Sequence, residues 1–237
     1  MDMAPNPQQN IGEIAAQSLA AVRLFEKLGI DYCCGGRRPL ADVCQEKGLS
    51  AEEIVAQLNQ QSSPASDRDW SKSSLSELIQ HIVPTHHDFL KSELPRLAAQ
   101  IEKVVAAHSS HEPETFVHIQ RMFRALQNDL DGHLMKEEQI LFPYIQGLES
   151  QSGPMRSCFG TVQNPIRMME MEHDEAGTAL AALRKLTGGY QPPEWACPTL
   201  RALYAGLAAM EEDLHLHIHL ENNILHPRAI ALERSAS

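Results

Sequence analysis

His133-Leu-Met-Lys-Glu137-Glu-Gln-Ile-Leu141-Phe-Pro143 and His217-Ile-His-Leu-Glu221-Asn-Asn-Ile-Leu225-His-Pro227 decide the fold, because they repeat one pattern at a shift of 84 residues. Each lies in a run whose apolar residues recur in alternating steps of three and four, the period of a buried helix face. The first run is Phe116, Ile119, Phe123, Leu126, Leu130, His133, Glu137, Ile140 and Tyr144. The second is Leu200, Leu203, Leu207, Met210, Leu214, His217, Glu221 and Ile224. In both, an otherwise apolar seam is interrupted by His and, one turn later, by Glu. Burying such groups without partners costs on the order of several kcal/mol. Something in the core has to compensate them.

Two further seams flank this pair. One reads Val83, His87, Leu90, Leu94, Leu97, Ile101, Val104; the other reads Val162, Ile166, Met169, His173, Ala176, Leu180, Leu183. Each carries a single His followed by Asp, as His87-Asp88 and His173-Asp174. The long segment is therefore two copies of a His helix followed by a His-x-x-x-Glu helix. The first helix opens at the capping box Ser74-Leu-Ser-Glu77 and runs to about His108. The second runs from near Pro113 to Gly147, followed by a loop to Gly160. The third spans about Thr161 to Thr187 and stops at Gly188-Gly189; the fourth starts near Pro193 and ends around Glu233. Four long helices with short connections predict an up-down four-helix bundle.

The six seam residues His87, His133, Glu137, His173, His217 and Glu221 come from four facing helices. Spacing of four puts His and Glu on one face, within reach of one ion or of two neighbouring ions. Two carboxylates can bridge two metals, and each metal then receives two imidazoles. Imidazole with carboxylate suits iron or manganese, and the absence of Cys from the set argues against structural zinc. Each metal is left with positions for oxo, water, O₂ or NO. A single seam His is more often a hydrogen-bonded core residue; six polar residues in repeated phase favour the metal. His215 and His219 lie about 200° around the helix from His217 and face elsewhere. His86 is off the seam, and His81, His108, His111, His118 and His226 read as surface or helix-end residues. Asp88, Asp174 and Glu172 neighbour ligands and are candidates to orient them.

The whole chain has 237 residues, 12 of them histidine, with 43% hydrophobic and 5% aromatic residues, a mix that favours helices. Its formal net charge of −11 repels nucleic acid. No apolar run approaches the ~18 residues of a membrane span. The first ten residues lack the basic and apolar regions of a secretory signal and read as disordered. Ile11 to Leu28 reads as one helix, Asp31-Tyr-Cys-Cys-Gly-Gly36 as a turn, and two short helices follow from Pro39 and from Ser50. Ser62 to Asp67 reads as a linker. The expected organisation is a small helical Cys-Cys domain over residues 1–62, a linker over 63–72, and the bundle over 73–237. Five cysteines without an export signal suit reduced thiols in the cytoplasm.

Cys33 and Cys34 stand in the Gly-flanked turn close to Arg37 and Arg38. Nearby cations raise the thiolate fraction of a thiol. Adjacent cysteines can close a vicinal disulfide or hold a soft metal ion, so Cys33 and Cys34 are candidates for redox chemistry, NO handling or iron transfer. The plain alternative is one small buried residue and one incidental neighbour. Cys44, Cys158 and Cys197 read as structural or incidental.

Taken together, Asp31-Tyr-Cys-Cys-Gly-Gly36, His133 to Pro143, Glu172-His-Asp-Glu-Ala-Gly177 and Leu220-Glu-Asn-Asn-Ile-Leu225 resemble the repair-of-iron-centres family, hemerythrin-like proteins of iron–sulfur cluster repair. The resemblance runs from Ile11 to about Ala231. It implies a bacterial cytoplasmic protein made under nitrosative or oxidative stress. It implies a centre of two non-haem iron ions on the six residues above, with Glu137 and Glu221 bridging beside a µ-oxo group. It implies iron–sulfur proteins with damaged clusters as partners, restored by iron donation, and NO or O₂ as small ligands. Some members are dimers, so a homodimer is one expected state. The sequence departs from oxygen-carrying hemerythrins at Gly177, where those proteins carry a further His one turn after the third-helix ligand. That change is expected to leave space beside the metal. Two other functions stay open: reduction of NO at a diferrous centre, which would make the protein an enzyme, and sensing of O₂ or NO.

Overall fold

The protein is described from a computed structural model that covers residues 4–61, 69–108, 113–150 and 158–236. In chain order the helices are α1 (Ile11–Gln17), α2 (Leu19–Leu28), α3 (Leu40–Lys47), α4 (Ala51–Gln61), α5 (Leu75–Ile82), α6 (Asp88–Ala107), α7 (Pro113–Lys136), α8 (Phe142–Glu149), α9 (Gln163–Leu186), α10 (Pro198–Leu220) and α11 (His226–Ala236). Among the described residues there is no β-strand. The fold is all-α, as the seams predict, and two compact units form: Met1–Leu78 with Leu216–Ser237, and Ile79–His215.

The unit Ile79–His215 is built from the long amphipathic helices. Leu90, Leu94, Leu97 and Ile101 of α6, Phe116, Ile119, Phe123 and Leu126 of α7, Ile166, Met169, Leu180 and Leu183 of α9, and Leu200, Leu203, Leu207 and Met210 of α10 are all buried. These are the seam positions, and α6 packs on α7, which packs on α9. The capping box at the start of α5 forms in both directions. Glu77 N–H donates to Ser74 Oγ at 3.1 Å, and Ser74 N–H donates to Glu77 Oε2 at 3.1 Å. The fourth helix begins at Pro198 and not near Pro193 as expected. Cys197 caps it, its Sγ accepting the N–H of Leu200 at 3.4 Å.

Three π-helical turns join these helices: Val83–His87 between α5 and α6, Glu137–Leu141 between α7 and α8, and Glu221–Leu225 between α10 and α11. In each, a backbone N–H reaches five residues back, from Asp88 to Val83, from Phe142 to Glu137, and from His226 to Glu221. Such a turn contains an extra residue and shifts the register of everything after it. The expected seam therefore fails at Ile140, which is 48% exposed, while its neighbour Leu141 is 1% exposed.

In the unit of Met1–Leu78 with Leu216–Ser237, the single helix expected over Ile11–Leu28 is broken. Ser18 adopts φ −159°, ψ 120°, and its carbonyl starts α2 by accepting from Ala21 and Val22. Serine favours helix starts over helix interiors. The expected disorder over residues 1–10 is also corrected for the described part. Leu40 N–H donates to Gln9 O at 3.0 Å and Ala41 N–H to Pro7 O at 2.8 Å, which ties the segment to the start of α3. Gly29 and Gly48 end α2 and α3 with φ of 62° and 66°, the left-handed conformation that glycine adopts without penalty. The linker expected over Ser62–Asp67 lies outside the described residues.

Candidate metal centre

Glu137 is the point on which the unit Ile79–His215 converges. It is 0% exposed, at the first residue of its π turn. Its Oε2 lies 3.3 Å from His133 Nε2 and 3.5 Å from His87 Nε2, and His133 Nε2 lies 3.0 Å from His173 Nε2. All four side chains are buried. Among the described residues neither carboxylate oxygen of Glu137 has a hydrogen-bond partner. A buried carboxylate without a donor is a high-energy arrangement unless a cation stands in for the donor.

The outer faces of the two imidazoles show why those nitrogens do not act as donors. His133 Nδ1 lies 2.9 Å from Glu172 Oε2, and His87 Nδ1 lies 2.8 Å from Glu138 Oε1. A carboxylate only accepts, so each Nδ1 carries the proton and donates it. In the neutral ring Nε2 is then a lone pair. Lone pairs of imidazole and carboxylate thus face one another in a buried core, an arrangement that a shared metal ion would turn from repulsion into coordination. Lys136 Nζ binds Glu172 Oε1, and Lys91 Nζ binds Glu138 Oε1 at 2.6 Å and Oε2 at 2.9 Å. The His133 hydrogen bond, helped by Lys136, holds the Glu172 carboxyl down at about 2 despite partial burial. Burial pulls Glu138 upward, but Lys91 and His87 outweigh it and keep it below the usual carboxylate range. Both imidazoles are therefore oriented by carboxylates that stay ionised.

The sequence reading placed Glu172 correctly among residues that orient ligands. Asp88 and Asp174 do not serve in this way: both are exposed, and Asp88 only approaches Lys91 at 3.8 Å. Glu138 was missed. It stands next to the candidate ligand Glu137, not next to a candidate His, and its role depends on reaching the neighbouring helix.

His217 and Glu221, in the other unit, are each 0% exposed, with His217 Nε2 3.0 Å from Glu221 Oε1. Glu221 opens its π turn as Glu137 opens its own.

A cleft of about 430 Å³ opens between α7 and α9 and is lined by His133, His173, Gly132, Ala176, Lys136 and Glu172, among others. The cleft reaches the inner imidazoles, but it is not the space expected at Gly177. Gly132 and Ala176 line it; Gly177 does not.

The turn Asp31–Gly36 sits against the π turn of its own unit. Asn223 Nδ2 donates to the carbonyls of Tyr32 and Cys33 at 3.1 Å each, and Asn222 Nδ2 donates to Cys33 O at 3.5 Å. The expectation that Arg37 and Arg38 lower the thiol pKa is overturned for Cys33. Cys34, burial and Asp31 push that thiol well up, and Arg38 pairs instead with Glu46. The two cysteines are not joined by a disulfide.

Four histidines read as surface or outward-facing are buried. His86 Nδ1 meets Asp213 Oδ1 at 2.9 Å, and His108 Nε2 lies 3.2 Å from Cys197 Sγ. His219 packs edge-on to Tyr32, and burial pushes it down to about 4. His226 is 0% exposed. His118 is exposed, and His111 lies outside the described residues.

Residues 78–229 match the family described as hemerythrin HHE cation binding domain, and residues 7–62 match a domain of unknown function, DUF542. The chain is similar to curated proteins named iron-sulfur cluster repair protein YtfE. It is 40% identical to that of Pectobacterium carotovorum subsp. carotovorum (strain PC1) over 225 residues, 94% of this chain and 96% of the relative. It is 40% identical to that of Citrobacter koseri over 226 residues, 95% of this chain and 98% of the relative. The same identity and coverage hold for the protein of Escherichia coli O17:K52:H18. Among the described residues no helix is long and apolar enough to cross a membrane.

Proposed function

This chain belongs to the hemerythrin HHE cation-binding family, and on that footing we propose that it repairs damaged iron–sulfur clusters, using two iron ions held by His87, His133, Glu137, His173, His217 and Glu221. The observation that carries the metal reading is Glu137, a fully buried carboxylate without a hydrogen-bond donor, faced by imidazole nitrogens whose protons point the other way. His217 and Glu221 join the set because they repeat His133 and Glu137 in seam phase, in burial and in opening a π turn. Two carboxylates and four imidazoles would leave iron held there with open positions, which would suit an oxo bridge, small ligands such as NO or O₂, and release of iron as cargo.

The protein residues do defined work in this scheme. Glu172 and Glu138 fix the protons of His133 and His87 on Nδ1 and so keep Nε2 available. Lys136 and Lys91 keep those carboxylates ionised. Iron–sulfur proteins whose clusters have been damaged by nitrosative or oxidative stress are the partners this reading requires, in the cytoplasm. The modules are residues 1–62 and 73–237, joined through 63–72, and Cys33 and Cys34 take part in redox or transfer steps.

The test is to incubate the iron-loaded protein, without oxygen, with a client whose cluster has been damaged by NO. Client activity and iron remaining on the protein are followed together. Recovery matched by iron loss supports donation. No recovery, or recovery equal to that given by the metal-free protein, overturns the reading. Catalytic consumption of NO with a reductant, at constant iron, would instead identify an NO reductase.

A further inference from the structure

We propose that Asp31, Cys33 and Cys34 form a second metal site, for a divalent transition-metal cation bound through two thiolates and one carboxylate. The three side chains present ligand atoms within 4.8 Å of one another. Cys33 Sγ lies 3.8 Å from Cys34 Sγ and 3.3 Å from Asp31 Oδ1. Two sulfurs each ~2.3 Å from one tetrahedral ion are about 3.8 Å apart, and a sulfur and a carboxylate oxygen on such an ion are about 3.5 Å apart. The turn therefore already holds the donors close to the spacing that one ion demands.

The local structure explains how a three-residue stretch keeps this geometry. Asp31 is anchored because its Oδ1 accepts the N–H of Cys34 at 2.9 Å and its Oδ2 accepts the N–H of Gly35 at 3.1 Å. Asn222 and Asn223 hold the carbonyl of Cys33 from the opposite side. Gly36 cannot be replaced by a larger residue in place, since a Cβ there would lie 2.2 Å from Asn223 Oδ1 and 2.7 Å from Tyr32 O. Cys33 is buried, Cys34 is half-buried and Asp31 is exposed, so the donor set is closed on the protein side and open to solvent on the other. Three protein ligands leave at least one coordination position for an exchanging ligand, as in metal sites that act and not merely stabilise. The crowding of three acidic groups that disfavours the Cys33 thiolate is what a cation relieves; binding releases both thiol protons to solvent and involves no change in oxidation state.

This site stands apart from the buried His and Glu residues in donor chemistry, so cobalt reads it selectively. The iron-loaded protein, reduced with a phosphine and kept free of oxygen, is titrated with Co²⁺. A thiolate-to-cobalt charge-transfer band is expected to saturate at about one Co²⁺ per chain. Cys33→Ser with Cys34→Ser abolishes the band and leaves the bound iron unchanged, while Asp31→Asn weakens Co²⁺ about tenfold. Whichever of Fe²⁺ and Zn²⁺ displaces Co²⁺ at the lower concentration is the preferred metal. A second measurement needs no variant: Co²⁺ should slow alkylation of both thiols by iodoacetamide at least about tenfold. No thiolate band at a large excess of Co²⁺, a band that survives the double substitution, or unchanged alkylation overturns the proposal.

Discussion

The two π turns at Glu137 and Glu221 start alike and then part. In each, a Glu from the seam opens the turn and a buried leucine closes it, Leu141 in one and Leu225 in the other. The next residue goes to different use. Glu138 turns to His87 and Lys91 within its own unit, at 2.8 and 2.6 Å. Asn222, at the matching position, and Asn223 beside it turn to the carbonyls of Tyr32 and Cys33. One copy of the repeat spends its divergent residues on orienting a buried imidazole, and the other on holding the Cys-Cys turn. What the copies share is the buried His and Glu pair itself, and this is why that pair is readable as a repeat.

If the shared part is the metal-binding part, Glu137→Gln and Glu221→Gln should fail equally. Each is expected to lower metal affinity at least about 100-fold, since an amide offers one weak donor in place of a bridging carboxylate. Competition with a chelator measures it, and a large inequality between the two breaks the symmetry. The next effect lies with the residues that orient the imidazoles. Glu172→Gln and Glu138→Gln should each cost about 10–100-fold in affinity with the helical fold intact, the larger loss at Glu172, the more strongly depressed carboxyl.

Gly36→Ala probes the other use of the repeat. Its Cβ would collide with Asn223 and with backbone, so we expect a loss of about 1–3 kcal/mol in stability. A thermal melt of the metal-free protein checks this, and metal affinity of the buried centre should change much less. The smallest effect is predicted for Asp88→Asn and Asp174→Asn. Both residues are exposed, so affinity should stay within about twofold.

Much of this was legible before any coordinates. A helix period of 3.6 shows in apolar residues directly, and His or Glu in phase with Leu and Phe marks a buried site because burial has to be compensated. The caps at Ser74 and Ser50 were legible because side-chain oxygens have few other reasons to recur three residues before Glu. The π turns were not legible, since no residue type encodes an inserted residue. A trace exists in hindsight: Pro84 lies inside the first π turn, while Pro143 and Pro227 stand two residues after the others. Proline lacks an N–H and crowds the carbonyl four residues back, and a wider turn relieves both. Pro95 sits within α6 without such a turn, so proline alone does not produce one. The ordering of Pro7–Asn10 depends on contacts with α3 that no local pattern reveals. Glu138 and the fourth helix start at Pro198 were missed for the same reason, because a residue on a neighbouring element or a capping Cys decides them.

Iron content resolved by ligand type tests the central claim most directly. The protein is loaded with Fe²⁺ without oxygen and freed of loosely bound metal. Iron is then counted per chain, and the nearest neighbours of each iron are determined by X-ray absorption, for the native chain and for the double variant Glu137→Gln with Glu221→Gln. The account predicts about two irons per native chain, with nitrogen and oxygen neighbours throughout, and nearly none in a folded double variant. Two tightly held irons in the double variant would contradict it.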